Sequence, residues 1–522
     1  MSKIKPGKVP SEGESMRDAR NKCGPEENGP AILSRRSLLE LTGIVVATVA
    51  LPPKAVMAKS FLSTDTTEQG VSPVTDKLST YMSEASAREL PDEVTEKTKQ
   101  HILDTVAAMI SGSQLAPGLA ALQFAAAYGG KEVATILASK IVCGPIEAAL
   151  TNGVLAHADE TDDSHAPSQS HPGCAVVPAA LAVGERFGIS GTHFLRAVTL
   201  GYDVGPRVTM TLGGQQFESE SHWSTHSISP LFGAAAAAGC AASLNVAQMR
   251  FLLSYTAHQS SGLGAWNRDT EHIQKAFHFG GMTARSGVTS ALVVQAGWTG
   301  VEDIFSGKDN FFEAYNPHAD ASGLAEKLGE RYEILRTNIK KWPVGSPIQA
   351  ALDALEMLRK QHPFHSNEVQ KLSVQLATDE AAIVNNREIP DICLQHMVAV
   401  MVMDKTVTFS SAHDKARMKD PATLREREKV KLIPDEQLER LMPLRVAIVE
   451  VQLTDGTHLT QRVDNVRGTP KNPMAQDEIV AKARDLIAPI LGTAQCANLI
   501  ERVLNLGRVK DIRDLRPLLQ RS

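Results

Sequence analysis

From Leu90 onward the chain places apolar residues at helical spacing. Val94, Thr98, His101, Ile102, Thr105, Val106, Met109 and Ile110 fall on one face of a segment that opens with Pro91, Asp92 and Glu93 and stops at Gly112. Proline and acids suit a first turn, with its unpaired N–H groups and positive dipole end, and glycine closes the run. The same period recurs over residues 119–127, 145–157, 177–187, 193–204, 230–242, 246–258 and 282–295. Many of these stretches are rich in Ala and Gly, whose small side chains let helix backbones approach closely. Residues 76–319 are therefore predicted to form an all-helical domain.

After Gly323 the pattern changes. Residues 332–339 read as a strand and 347–361 as a helix. Val369, Leu372, Val374 and Leu376 fall among polar residues as in a half-buried strand. Residues 445–453 and 458–463 flank Asp455-Gly456, a hairpin signal because such two-residue turns need positive φ. Residues 411–429 are charged and lack Phe, Tyr and Trp, which predicts a solvated loop or surface helix. Residues 320–470 thus read as a smaller α+β domain. The helical pattern returns over 475–504, so the tail, residues 471–522, is expected to rejoin the first domain and make the α+β region an insertion.

At 522 residues the chain exceeds one ordinary core. Its net charge of −5 gives a general nucleic-acid role no electrostatic support. Residues 1–58 differ from the rest. A polar stretch expected to be disordered leads into Arg35-Arg36, a modestly apolar run from Leu41 to Leu51, and the small-residue site Val56-Met57-Ala58. That order predicts a twin-arginine signal peptide. The expectations are a periplasmic or otherwise exported protein, the twin-arginine machinery as a partner, and no stable membrane anchor after cleavage; without a functional signal the protein would be cytoplasmic. Six scattered cysteines without a CxxC pair suggest apolar fillers rather than a zinc site or disulfide framework.

The densest chemistry lies between Ala156 and Glu185. His157, Asp159, Glu160, Asp162, Asp163, His165 and His171 occur within fifteen residues, immediately before an apolar helix pattern. Buried carboxylates and imidazoles must be paired or hydrogen-bonded, so the cluster is either a solvated turn or a proton-transfer site. If the helix continues over residues 151–164, His157, Glu160, Thr161 and Ser164 share one face, with Asp159, Asp162 and Asp163 on the other. Pro172 presets extended backbone at His171 and fixes a possible acid or base. A second imidazole group, His222 and His226, precedes an Ala-rich helix, with one of the two expected to face the pocket. Lys275, Arg285, Lys340 and Lys341 are cations that an anionic substrate would require.

These segments resemble a known family, MmgE/PrpD, which includes 2-methylcitrate dehydratases and cis-aconitate decarboxylases. The marks are LPDEVTEKTKQHILDTVAAMISGS, the AH…DD…HPG…PAAL segment, Gly201-Tyr202-Asp203-Val204 with Arg207, KAFHFGGMTARSG and KKWPVGSPIQAALDAL. The resemblance covers residues from about 90 to the C-terminus. It implies a large helical domain with an inserted α+β lid, a metal-free and cofactor-free lyase, and a homodimer with its pocket between the two domains. It also implies catalytic roles for Glu160, Ser164, His171, His222 or His226, and His396, where the family carries a tyrosine. Asp163, Lys275, Arg285 and Lys340 are the candidate substrate-binding residues.

The resulting expectation is a carbon–oxygen lyase, a dehydratase, acting on a small di- or tricarboxylate such as a 2-methylcitrate-like hydroxy acid. A decarboxylase or epimerase could use the same scaffold. A metal-dependent hydrolase built on Asp159, Asp163, His165 and His171, or a non-catalytic exported carboxylate-binding protein, are alternatives from other classes.

Overall fold

The computed structural model describes residues 70–521; the expected signal peptide lies outside the described residues. The predicted helices form, with shifted ends: Asp92–Gly112, Ala116–Tyr128, Pro145–Ala156, Gly173–Phe187, Gly191–Leu212, Thr225–Ala241, Val246–His258 and Met282–Gln295. Thr225–Ala241 runs through the middle, packed by Gly191–Leu212, Gly173–Phe187 and Met282–Gln295. Its Ala234–Ala238 run is at most 1% exposed. A helix that is apolar on every side has to be surrounded, and alanine keeps the surrounding helices close.

One apolar cluster joins Leu78, Ile102, Val176, Phe232 and Val288 to Ile479, Leu486, Leu499, Val503 and Leu519 from the end of the chain. Trp342, Leu355, Val374, Met397, Val449 and Val463 belong to a second cluster. Helices Gln476–Leu491 and Asp92–Gly112 pack together, so the chain leaves the helical core, builds a separate one, and returns.

The second core lies on a four-stranded sheet ordered Val430–Asp435, Val369–Ala377, Ala447–Leu453, His458–Val463. The first two strands are parallel, with Leu372 opposite Val430. The others are antiparallel, with Val374 opposite Val449 and Val449 opposite Gln461. A parallel neighbour needs a long crossover, and helices Leu394–Asp404 and Pro421–Glu428 lie within it. The hairpin at Asp455-Gly456 forms, with Gly456 at φ 90°.

One expectation fails here. Residues 332–339 form a short helical turn, Glu333–Arg336, and not a strand. Buried Glu333 sets that geometry: its backbone N–H donates to Asp203, while its carboxylate takes Arg331 at 2.7 Å and Arg336 at 2.8 Å. Residues 411–429 do contain the expected surface helix, Pro421–Glu428, and the stretch also carries His413, half-buried and paired with Asp159. Among the described residues no single helix is long and apolar enough to cross a membrane, and all five cysteines there are free and buried.

Candidate active site

Helix Pro145–Ala156 ends at His157 instead of running on to Ser164. Aspartate side chains end it by offering the backbone and its neighbours local partners. Asp159 accepts from the Thr161 N–H at 3.0 Å and the Thr161 hydroxyl at 2.6 Å, and Asp162 holds His157 Nδ1 at 2.8 Å. The single face expected for His157, Glu160, Thr161 and Ser164 is therefore absent. The loop from His157 to Pro172 folds inward, and nearly all its charged groups are buried.

Asp162 is the hub. One carboxylate oxygen meets His157 Nδ1; the other lies 3.1 Å from His171 Nδ1 and 3.6 Å from Lys340 Nζ. Burial alone would raise its pKa, but His157, His171 and Lys340 hold it well below the usual carboxylate range. His171 therefore has Nε2 free for the cavity it lines. Burial, with Lys340 adding to it and Asp162 opposing it, brings His171 down to about 4, so the imidazole is a free base at neutral pH.

Glu160 is the second anchor. Its carboxylate pairs with Lys275, and its backbone carbonyl accepts from Lys340 Nζ at 2.8 Å. Burial opposes ionisation, but Lys275 and Lys340 outweigh it and keep the carboxyl well below its ordinary range. Lys275 lies 5.2 Å from the ring centres of both Trp266 and Phe279. Phe279 sits in a wide turn, Phe277–Gly281, seated against Pro145–Ala156, and Trp266 in the short helix Gly264–Arg268. A Cβ at Gly280 would come within 2.0 Å of the Gly153 carbonyl oxygen, so this approach requires glycine. A Cβ at the next position, Gly281, would come within 2.5 Å of Val154 Cγ2, so both glycines after Lys275-Ala276-Phe277-His278-Phe279 face the Pro145–Ala156 helix closely. Lys340 is fixed from both sides: Asn338 exchanges backbone hydrogen bonds with Ser164, and the Ile339 N–H donates to the Gly468 carbonyl.

These groups border a cavity of about 410 Å³. Glu160, His171, His226, Trp266, His272, Lys275 and Phe279 line it from the helical part, and Ser346, Ile383, Arg387, Ile389, Ile392 and Arg445 from the α+β part. The structure thus brings Glu160, His171, His226 and Lys275 to one space, with Lys340 touching Glu160 and Asp162 from behind.

It does not bring every candidate there. His222 is exposed at φ 63°, capping the short helix Gln215–Ser221, so His226 is the imidazole of that pair in the cavity, 3.3 Å from Glu218. Ser164 lines a neighbouring cavity of about 320 Å³ together with Lys340. Asp163 is wholly buried away from the cavity; it binds His101 at 2.8 Å, the Tyr202 hydroxyl at 2.5 Å and the Gly173 N–H at 3.0 Å, and so anchors the start of helix Gly173–Phe187. Arg285 is exposed on its helix. His396 is buried on Leu394–Asp404 and does not line the cavity.

Three groups were not legible as site residues. His272, at positive φ, borders the cavity, and burial with Lys275 lowers it to about 3. Asp162 was seen only as half of an acid pair. His413 lies 3.1 Å from Asp159 and 3.9 Å from Asp391, tying the α+β part to the loop. Its only sequence signal is a histidine in a charged stretch.

Among the described residues, metal ligation has two candidate groups, His157–Asp162–His171 and His157–Glu160–His272. Each carboxylate, however, already faces a lysine ammonium. A dication would have to displace it or sit against it, so neither group suits a metal. The proposed set Asp159, Asp163, His165 and His171 does not converge: these side chains bind His413, His101, Glu333 and Asp162 respectively.

The MmgE/PrpD N-terminal domain matches residues 76–323 and the MmgE/PrpD C-terminal domain residues 342–506. The chain belongs to the MmgE/PrpD family. A cis-aconitate decarboxylase of Aspergillus terreus is 23% identical over 475 residues, 85% of this chain and 96% of that protein. The Homo sapiens cis-aconitate decarboxylase is 25% identical over 468 residues, 86% of this chain and 94% of its own. The family motif with Tyr202, Asp203 and Arg207 serves the scaffold: Tyr202 holds Asp163, and Asp203 holds Tyr81 at 3.0 Å and Arg207 at 3.3 Å.

Proposed function

We propose that the protein is a lyase for a small polycarboxylate, passing through a state in which negative charge builds on a carbon beside a carboxylate. One observation carries this reading: the fixed, free-base imidazole of His171 borders the same cavity as the Lys275–Glu160 pair. In a dehydration, His171 Nε2 takes the proton from carbon. The electron pair moves onto the neighbouring carboxylate and then forms the carbon–carbon double bond as hydroxide leaves. The leaving oxygen takes a proton from Lys275 or from His226, which stands beside Glu218. Lys275 and Lys340 stabilise the intermediate charge as fixed cations beside the place where it builds up.

Decarboxylation is the second reading. The printed names of the relatives support it, as do the faces of Trp266 and Phe279, which would strip water from a departing carboxylate. Incubation with 2-methylcitrate, citrate and cis-aconitate, followed by NMR, separates the two: an alkene formed with loss of water, or carbon dioxide released. Binding of these acids with no turnover over hours would favour a carboxylate-binding protein instead.

Export and a homodimer belong to the same proposal. Fusion of residues 1–58 to a reporter, with Arg35-Arg36 replaced by Lys-Lys as control, tests the first; light scattering tests the second.

A further inference from the structure

The cavity wall carries the cations Lys275, Arg387 and Arg445 and the acids Glu160, Glu218 and Asp269, but these are not all paired with one another. Lys275 is taken by Glu160, and His226 stands beside Glu218. Asp269, also on the wall, accepts the backbone N–H groups of Glu271 and Lys275. On the α+β side, Arg445 commits one guanidinium nitrogen to buried Glu380. Among the described residues Arg387 has no carboxylate partner, and its guanidinium makes a 3.4 Å hydrogen bond to the Ile383 carbonyl.

Arg387 is nonetheless held in place. Asn386, just before it, has φ 47°, a left-handed conformation that asparagine tolerates better than most residues. Its N–H donates to Gln395 at 2.9 Å, its side-chain oxygen accepts from Arg427 at 3.0 Å, and Gln395 also donates to Asn385 at 2.7 Å. Gln395 is 4% exposed and sits in the first turn of Leu394–Asp404. The second core thus fixes the loop that presents a guanidinium beside Ile389 and Ile392, facing the space that His171 and Lys275 border.

We propose that Arg387, with Arg445 beside it, binds a substrate carboxylate remote from the reacting carbon and so selects tricarboxylates over dicarboxylates. The inference rests on the polycarboxylate reading above and deepens it. Lys275 and Lys340 lie at the Glu160–Asp162 end, where the chemistry is placed; the arginines stand on the wall contributed by the other core. A guanidinium matches a carboxylate in two parallel hydrogen bonds, which an ammonium cannot do.

The test is calorimetric binding of succinate and of propane-1,2,3-tricarboxylate at constant ionic strength, with thermal melts as a folding check. The intact protein should prefer the tricarboxylate. R387A should weaken its binding about 10- to 100-fold, the value of one or two charged hydrogen bonds, and change succinate binding little. R387K should keep part of the preference, because it keeps the charge and loses the fork. If the intact protein prefers the tricarboxylate and R387A keeps that preference, or if the intact protein binds both acids equally, the arginine assignment is overturned and the polycarboxylate reading stands. If the intact protein binds neither acid, both fall.

Discussion

His171 Nδ1 lies 3.1 Å from Asp162 Oδ1, and that bond leaves the opposite ring nitrogen to the cavity. The same carboxylate also holds His157, so a single aspartate orients two imidazoles. Replacing His171 by Ala should slow turnover about 100- to 10,000-fold, the usual range for a positioned acid or base. D162N should slow it less and alter its pH dependence. With His171 at about 4, the acid limb of the kcat/KM profile should fall near pH 4 rather than near an ordinary histidine value of about 6.5. A limb near 6.5 in the intact protein would remove His171 as the base.

Lys275 and Glu160 are interdependent. Removing only one member of a buried ion pair leaves the other uncompensated. K275M should therefore lose about 2–3 kcal/mol of stability, toward the low side of such losses because the lysine keeps some exposure. The double variant E160Q/K275M should regain most of that stability and none of the activity. Urea unfolding of the four proteins in the cycle checks the first statement, and turnover the second. A loss in the double variant equal to the sum of the losses in E160Q and K275M would show that the pair is not coupled.

Much of the architecture was legible because it is periodic. The helical stretches and the Asp455-Gly456 hairpin follow from spacing and turn chemistry, which act locally. The site was legible only in part, because its decisive bonds join distant residues. Asp162 looked like one more acid until His171 and Lys340 met it. Residues 332–339 read as a strand until buried Glu333 drew in Arg331, Arg336 and the Asp203-bound backbone. His413 lies about 250 positions from Asp159, its ion-pair partner, in a stretch with the composition of a surface. No local pattern encodes such a contact. No local pattern separated His222 from His226 either: the turn at His222 leaves that residue exposed, while His226 lines the cavity.

Both carboxylates that could ligate a metal face lysines, and this makes a prediction about chelation. Lys275 pairs with Glu160, and Lys340 lies 3.6 Å from both Glu160 and Asp162. An added divalent ion would have to overcome two ammonium groups in a buried site. Dialysis against EDTA and 1,10-phenanthroline should leave turnover unchanged, and added Zn²⁺ or Mg²⁺ should not raise it. A loss of activity on chelation that Zn²⁺ restores would overturn the proton-transfer scheme.

His413, with Asp391 beside it in the α+β part, links that part to the helical one through Asp159, and the link should weaken in base. Burial opposes its charged form, but Asp159 and Asp391 outweigh that and raise it to about 9. A histidine raised on folding contributes its full stability below its unfolded value of about 6.5 and loses it as pH rises through about 9. The shift corresponds to about 3 kcal/mol at most, since a pKa unit is worth about 1.4 kcal/mol. Asp391 moves the other way: burial raises it to about 6, so its ionisation weakens the fold between about pH 4 and 6 and adds no further slope above that. Between pH 6.5 and 9 the histidine should therefore be the main source of pH dependence in this cluster. Urea unfolding of the intact protein and of H413Q across that range should show the intact protein ahead at pH 6.5, with the gap narrowing steadily toward pH 9. A gap that stays constant would mean that His413 does not carry its charge in the folded protein.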